Sequence, residues 1–278
     1  WKDKKTLITG HTGFKGSWLS LYLDTLGADL YGYALEPETR PSLYQEANLD
    51  NLMAKSCMGD INDLDKLTSF FEETKPSVLF HMAAQSLVRE SFLHPIETFE
   101  TNIIGTYELL QSSLDYYNNL NKNGQSHFRF IHVSTDEVYG SLGNKGYFKE
   151  TTPYNPSSPY SASKASSDHL VKAWHHTFGL PILITNCSNN YGPFQFPEKL
   201  IPLMIISCLQ GKELPIYGDG KNIRDWLYVK DHCEALNCVI NNGRIGETYN
   251  IGAEEEKTNL EIVNIICDLL DRKVSLKN

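Results

Sequence analysis

Tyr160 and Lys164 stand four residues apart in a segment of helical character, residues 161–177, so their side chains share one helix face. A tyrosine phenol is ordinarily protonated at neutral pH, with a pKa of about 10. A neighbouring ammonium favours the phenolate and makes Tyr160 a candidate base for a hydroxyl proton. Upstream, Ser134-Thr135-Asp136-Glu137-Val138-Tyr139-Gly140 follows an apolar run, 128–133, that predicts a buried strand leading into a loop. Asp136 and Glu137 therefore sit at a strand end, where open α/β sheets place their ligands. A hydroxyl base and two carboxylates suit redox chemistry followed by elimination. Taken singly, Tyr-x-x-x-Lys describes many solvated helix faces, and Asp-Glu after a strand many helix caps. Their order behind a dinucleotide-binding start makes the combination specific.

That start is a β-branched run, 6–9, then Gly10-His11-Thr12-Gly13-Phe14-Lys15-Gly16 and a helix over 17–25. Glycines at 10, 13 and 16 allow a tight turn and close approach of backbone N–H groups to a pyrophosphate, which the helix dipole also favours. The second strand is predicted at 29–34. A ribose-binding acid is expected near its end; Glu36 comes two residues later and Arg40 further on, which inclines the choice to NAD over NADP. A third strand, 55–59, ends at Asp60-Ile61, where an adenine edge could be held. A helix over 62–74 leads to a strand at 77–82.

That strand ends in His81-Met82-Ala83-Ala84-Gln85-Ser86. The small Ala83 and Ala84 admit either a flat ring or a closely packed helix. His81 reads as a satisfied core histidine, because no partner stands at metal-ligand spacing; no metal site is expected. A helix over 96–117 carries Asn102 on a mostly apolar face, and 118–126 reads as a polar linker. A loop, 140–158, precedes Tyr160. A sixth strand is predicted at 181–185, after which the alternation becomes irregular. Residues 194–219 and 222–226 supply Lys199, Tyr217 and Arg224, suited either to a lobe closing over an anionic substrate or to a solvated surface. A last strand, 248–251, and a helix, 260–270, complete the chain. The expected fold is α/β: a doubly wound parallel sheet, an NAD-binding Rossmann fold, with a smaller C-terminal substrate-binding lobe. Residues 1–185 form the NAD-binding domain with the catalytic groups, and 186–278 mainly the lobe, with 225–252 returning to the main domain.

The 278 residues suffice for a large core. A net charge of −9 argues against general nucleic-acid binding, and no apolar run approaches the roughly 20 residues of a membrane span. Without a charged-then-apolar leader the expected location is cytoplasmic. The six cysteines, at 57, 187, 208, 233, 238 and 267, form no close-spaced metal signature and read as reduced core thiols.

On these residues the chain resembles the extended short-chain dehydrogenase/reductase family, and within it the nucleotide-sugar 4,6-dehydratases. The resemblance covers essentially the whole chain. It implies that Gly10, Gly13 and Gly16 bind the pyrophosphate of NAD, that Tyr160 and Lys164 are the redox pair, and that Thr135 is the family's central Ser/Thr. The adjacent acids Asp136-Glu137 favour a dehydratase over an epimerase. Residues 10–18 and 83–89 look like CDP-glucose dehydratases, whereas the sequence from Phe128 onward looks like dTDP-glucose dehydratases, notably at 188–202 and 214–229. The second half holds the nucleotide in that enzyme type, so dTDP-glucose is the favoured substrate. The resemblance implies catalytic Thr135, Asp136, Glu137, Tyr160 and Lys164. It implies an NAD site of Gly10, Thr12, Gly13, Phe14, Gly16, Asp60, Ile61, Ala83, Ala84, Gln85, Thr101 and Asn190 with Tyr160 and Lys164. Substrate would meet Ser86, Thr135, Asn189, Lys199, Leu200, Pro215, Tyr217, Arg224 and Asn259. A homodimer is expected. Family members also continue past the position of Asn278 with further diphosphate contacts.

Overall fold

A computed structural model describes residues 1–142, 146–216 and 218–274, the side chains of 272–274 excepted. In chain order the first half comprises β1 (Lys5–Thr9), α1 (Phe14–Thr25), β2 (Asp29–Ala34), α2 (Leu43–Glu46), β3 (Lys55–Met58), α3 (Leu64–Thr74), β4 (Val78–His81), α4 (Val88–Leu93), α5 (Pro95–Phe99), α6 (Gly105–Asn119) and α7 (Lys122–His127). There follow β5 (Arg129–Thr135), α8 (Pro159–Phe178), β6 (Ile182–Cys187), β7 (Asn189–Tyr191), α9 (Leu200–Leu209), β8 (Ile223–Tyr228), α10 (Val229–Asn242), β9 (Thr248–Ile251), β10 (Glu256–Thr258) and α11 (Asn259–Val274).

Seven strands form one parallel sheet in the order β3-β2-β1-β4-β5-β6-β9. The central strands β4 and β6 are buried at every residue, as strands covered by helices on both faces must be. One core face joins Leu7, Leu79, Phe130 and Ile184 to α3, α6 and α8; the other joins Ile8, Phe80 and Ile131 to α1 and α10. The strand order reverses between β1 and β4, and ligands of such sheets sit at that switch, outside the carboxyl ends of the strands.

A second sheet, β10-β8-β7, meets α11 through β10, and α11 packs on α9, their Met204, Val263 and Ile266 forming a separate small core. Asp225 on β8 joins this lobe to the end of β9, accepting from the Ala253 and Glu255 N–H groups at 2.8 and 2.9 Å.

The seven strands of the main sheet fall where the apolar runs predict, within two residues, whereas β7, β8 and β10 of the second sheet lie where the sequence predicts no strand. Several helices differ. The polar segment 118–126 contains most of α7, started by the Asn121 side chain accepting from the Gly124 N–H. The helix expected over 96–117 forms as one run from Pro95 to Asn119, widened by a π-type turn, Glu100–Ile104, between α5 and α6. The stretch beyond β6, which looked irregular, holds α9, an apolar helix that needs a partner core to form. Of the thiols, Cys187 and Cys233 are buried, whereas Cys238 is exposed, so the core reading fails for the last. Among the described residues no helix is long and apolar enough to cross a membrane.

Candidate active site

The carboxyl ends of β1, β4, β5 and β6 open onto one cleft of about 460 Å³. At its floor, Gly10 has φ +76°, and an added Cβ would stand 2.8 Å from the Ala83 nitrogen. A Cβ at Gly16 would stand 2.1 Å from the Gly10 carbonyl oxygen. Helix and strand thus meet backbone to backbone, which only glycine permits. α1 opens at Gly13 with no side-chain cap and no acid in its first turn, leaving its N–H groups to an anion. These are the features a dinucleotide's pyrophosphate requires, so the residues present fit NAD. Glu36 and Glu38 line the cleft past the end of β2, and among the described residues no lysine or arginine lines it there to pair a 2′-phosphate.

All the residues proposed from sequence for the cofactor line this cleft, from Gly10 and Thr12 through Asp60, Ala84 and Thr101 to Asn190. His81 lies behind it, its ring nitrogens 2.9 Å from the Thr9 and Thr106 hydroxyls. Asn102, on the π-type turn, is buried and clamps the exit of β4 to α8. Its Oδ1 accepts from the Gln85 N–H at 2.8 Å, and its Nδ2 donates to the Gln85 carbonyl and Ser163 hydroxyl.

Tyr160 and Lys164 are placed by the start of α8. Ser158 and Ser161 form a reciprocal capping box, Pro159 occupies the first turn, and Gly179 ends the helix at φ +74°. Lys164 is buried and donates to the Val133 carbonyl at 3.1 Å. Burial lowers its pKa to about 8, with Asp168 opposing and Lys15 adding to the fall. The expected lowering of the Tyr160 phenol does not result. The ring is open to the cleft but its position is deep. Burial pushes the phenol well above its ordinary value, Glu137, Cys187 and Asp136 push it further, and only Thr135 draws it down. Desolvation and two carboxylates outweigh a lysine that is turned to a carbonyl.

Asp136 and Glu137 open a short helical turn, Asp136–Tyr139, where the sequence predicts a loop. Thr135 caps it, its hydroxyl accepting from the Glu137 N–H at 3.3 Å. Burial raises both acids. Asp136 reaches about 7 with Glu137 adding to the shift, and Arg224 opposes the rise in each. Two adjacent carboxyls in one site are thereby separated in acidity, one able to hold a proton near neutrality.

The residues proposed for substrate divide. Ser86, Thr135, Asn189 and Lys199 line the cleft. Lys199 also spans the two lobes, its ammonium donating to the Ser86 carbonyl at 3.2 Å. Leu200, Pro215, Arg224 and Asn259 belong to the lobe and do not line the cleft; Arg224 is exposed on β8 yet reaches both acids electrostatically. Tyr217 lies outside the described residues. Sequence reasoning missed Lys15 and Cys187, whose ammonium and thiol meet at 3.2 Å in the cleft. A lysine inside an otherwise small and apolar turn was the available signal for the first; for Cys187 there was none.

Comparison with known proteins agrees with this geometry. Residues 7–277 match the family model described as GDP-mannose 4,6 dehydratase. A dTDP-glucose 4,6-dehydratase of Xanthomonas campestris pv. campestris is 51% identical over 271 residues, 96% of this chain and 76% of that protein. The dTDP-glucose 4,6-dehydratase of Bacillus anthracis, solved in complex with NAD, superposes with a TM-score of 0.84 at 41% identity, covering 95% of this chain and 80% of the other. That of Streptomyces venezuelae, with NAD and TYD bound, gives 0.85 at 39% over the same shares. The chain belongs to the nucleotide-sugar 4,6-dehydratases of the extended short-chain dehydrogenase/reductase family.

Proposed function

We propose that this chain is an NAD-dependent dTDP-glucose 4,6-dehydratase, forming dTDP-4-keto-6-deoxyglucose. The observation that carries the reading is the placement of Asp136 and Glu137 beside Tyr160 in the cleft below the glycine turn. NAD, held by the glycine turn and the cleft residues, would supply the hydride acceptor for sugar carbon 4 and the hydride source for carbon 6. In its ionised form, which Thr135 and the Lys164 ammonium favour against the burial and carboxylates that raise the phenol, Tyr160 takes the proton of the carbon-4 hydroxyl. The resulting ketone acidifies the hydrogen at carbon 5, which Glu137 removes. Asp136, whose raised pKa leaves it able to hold a proton, delivers that proton to the carbon-6 hydroxyl, which leaves as water. Lys199 and Arg224 suit the diphosphate, the latter through its planar fork.

The same reading divides the chain at about residue 185, the lobe being 186–278 with 225–252 returned to the main domain. The pairing of β9 with β6 supports the return. A homodimer is supported by the exposed apolar side chains Phe92, Leu93, Ile96 and Ile104 around α4 and α5. The location that goes with this reading is the cytoplasm; among the described residues no helix is long and apolar enough to cross a membrane. Separate incubation with dTDP-glucose and CDP-glucose tests the function: a 4-keto product from the first is expected. Turnover of CDP-glucose alone would reassign the substrate to the type that residues 10–18 and 83–89 resemble.

A further inference from the structure

Beneath the Tyr160–Lys164 pair lies a buried polar cluster that the proposed chemistry leaves without a task. Asp168 follows Lys164 by one helical turn on α8, so the carboxylate and the ammonium share a face of that helix. Asp168 is wholly buried and does not line the cleft. Its Oδ2 accepts from the Tyr154 hydroxyl at 2.8 Å and from Asn186 Nδ2 at 3.3 Å, and its Oδ1 lies 3.2 Å from Nε2 of the equally buried His132. A carboxylate so deep, with donors from β6 and the loop before α8, is costly to place unless it balances a charge.

The other titratable groups facing this pair do not balance it. His81 on β4 and His132 on β5 are held neutral, burial lowering both. Burial likewise raises the phenols of Tyr139 and Tyr154. Cys187 on β6 contributes to Lys164 only after Asp168 and Lys15. Lys15, from the first turn of α1, repels the Lys164 ammonium, and Asp168 is the largest influence that favours it. Burial acts to raise the Asp168 carboxyl, yet His132, Lys164 and Ser134 together hold it below its ordinary value, so it stays an anion.

We infer that Asp168 is a positioning residue of the redox step, the buried counter-ion that keeps Lys164 charged under Tyr160. It acts through the lysine alone. Tyr154 and Asn186 orient its carboxylate. This inference rests on the proposed role of Tyr160 and Lys164, and the two fail differently: absence of wild-type turnover on dTDP-glucose would overturn the proposed function before Asp168 is tested.

With turnover in hand, the rate of NADH appearance in a single turnover is followed against pH for the wild type, Asp168→Asn, Asp168→Glu and Lys15→Met. Loss of the Lys164 proton sets an alkaline limb. Removing an opposite charge lowers a neighbouring ammonium's pKa by roughly one unit or more, so Asp168→Asn should move that limb to lower pH by about that amount. Its deficit should then be about fivefold greater at pH 8 than at pH 6, while Asp168→Glu restores the wild-type limb. Lys15→Met, which leaves the cluster's packing untouched, should move the limb upward. A deficit in Asp168→Asn that is equal at all pH values would make the residue merely structural. Should that variant not fold, an unmoved or lowered limb in Lys15→Met overturns the electrostatic account by itself.

Discussion

At the scale of single residues the site works by separating groups that are alike. Asp136 and Glu137 are neighbours, yet burial and mutual repulsion raise Asp136 to about 7, and Arg224 acts against the rise in both. A carboxyl whose folded pKa is raised destabilises the protein above its unfolded pKa, so stability falls as pH climbs from about 4 through about 7. Asp136→Asn should therefore melt at a higher temperature than the wild type at pH 8 and equally at pH 4, measured by calorimetry. The same variant should slow water loss but spare oxidation at carbon 4. A transient NADH absorbance would then outlast that of the wild type in a single turnover; equal loss of both steps would instead mean that the acid only shapes the cleft. Tyr160→Phe should remove the hydroxyl base, lowering turnover about 100-fold or more while leaving bound NAD in place. Near-normal turnover by that variant would move the base elsewhere.

At the scale of elements, the site depends on how strand ends are tied to helices. β1 meets α1 through the glycine turn, and α8 is started by its capping box so that Tyr160 faces the strand ends. The junction of β4 with α8 runs through one side chain, Asn102, which bonds both the N–H and the carbonyl of Gln85 and also Ser163. The π-type turn explains how a helix can offer a side chain so deeply, since such bulges redirect residues at functional sites. Asn102→Ala would leave buried donors and acceptors unpaired at about 1–3 kcal/mol for the group. Thermal melts should show that loss. Because Gln85 lines the cleft, NAD should also dissociate faster from the variant, followed by loss of bound cofactor on gel filtration; unchanged retention would make the clamp purely structural.

At the scale of the whole molecule, two sheets and two cores meet over one cleft, and Lys199 and Asp225 bridge the parts. The apolar surface near α4 and α5 is the feature that a lone chain leaves unexplained. Ile96 is 66% exposed and Leu93 62%. Placing a charge there should break a self-association and leave the fold intact. Ile96→Glu is expected to sediment as a monomer where the wild type sediments as a dimer. A monomeric wild type would remove this surface from the homodimer argument.

The parallel sheet, the glycine turn and the order of Thr135, Asp136, Glu137, Tyr160 and Lys164 are legible in the chain because each rests on local physics. Buried strands need apolar runs, a tight turn needs glycine, and a helix brings residues four apart to one face. The NAD-lining set is readable for the same reason, since strand ends point to one edge of the sheet. Other features depend on what a residue meets across the fold. α9 is apolar nearly all round and gains a place only against α11; Arg224 gains its reach to the acids only when β8 is laid beside β7. Lys15 and Cys187 are 172 positions apart in sequence and touch only because α1 and β6 converge on the cleft. Acidity is likewise a tertiary property. The spacing of Tyr160 and Lys164 alone argues for a lowered phenol, but burial depth and the two carboxylates decide it the other way. Spacing says which groups can approach one another, and only the folded surroundings set the desolvation and the field that determine which of them carries a charge.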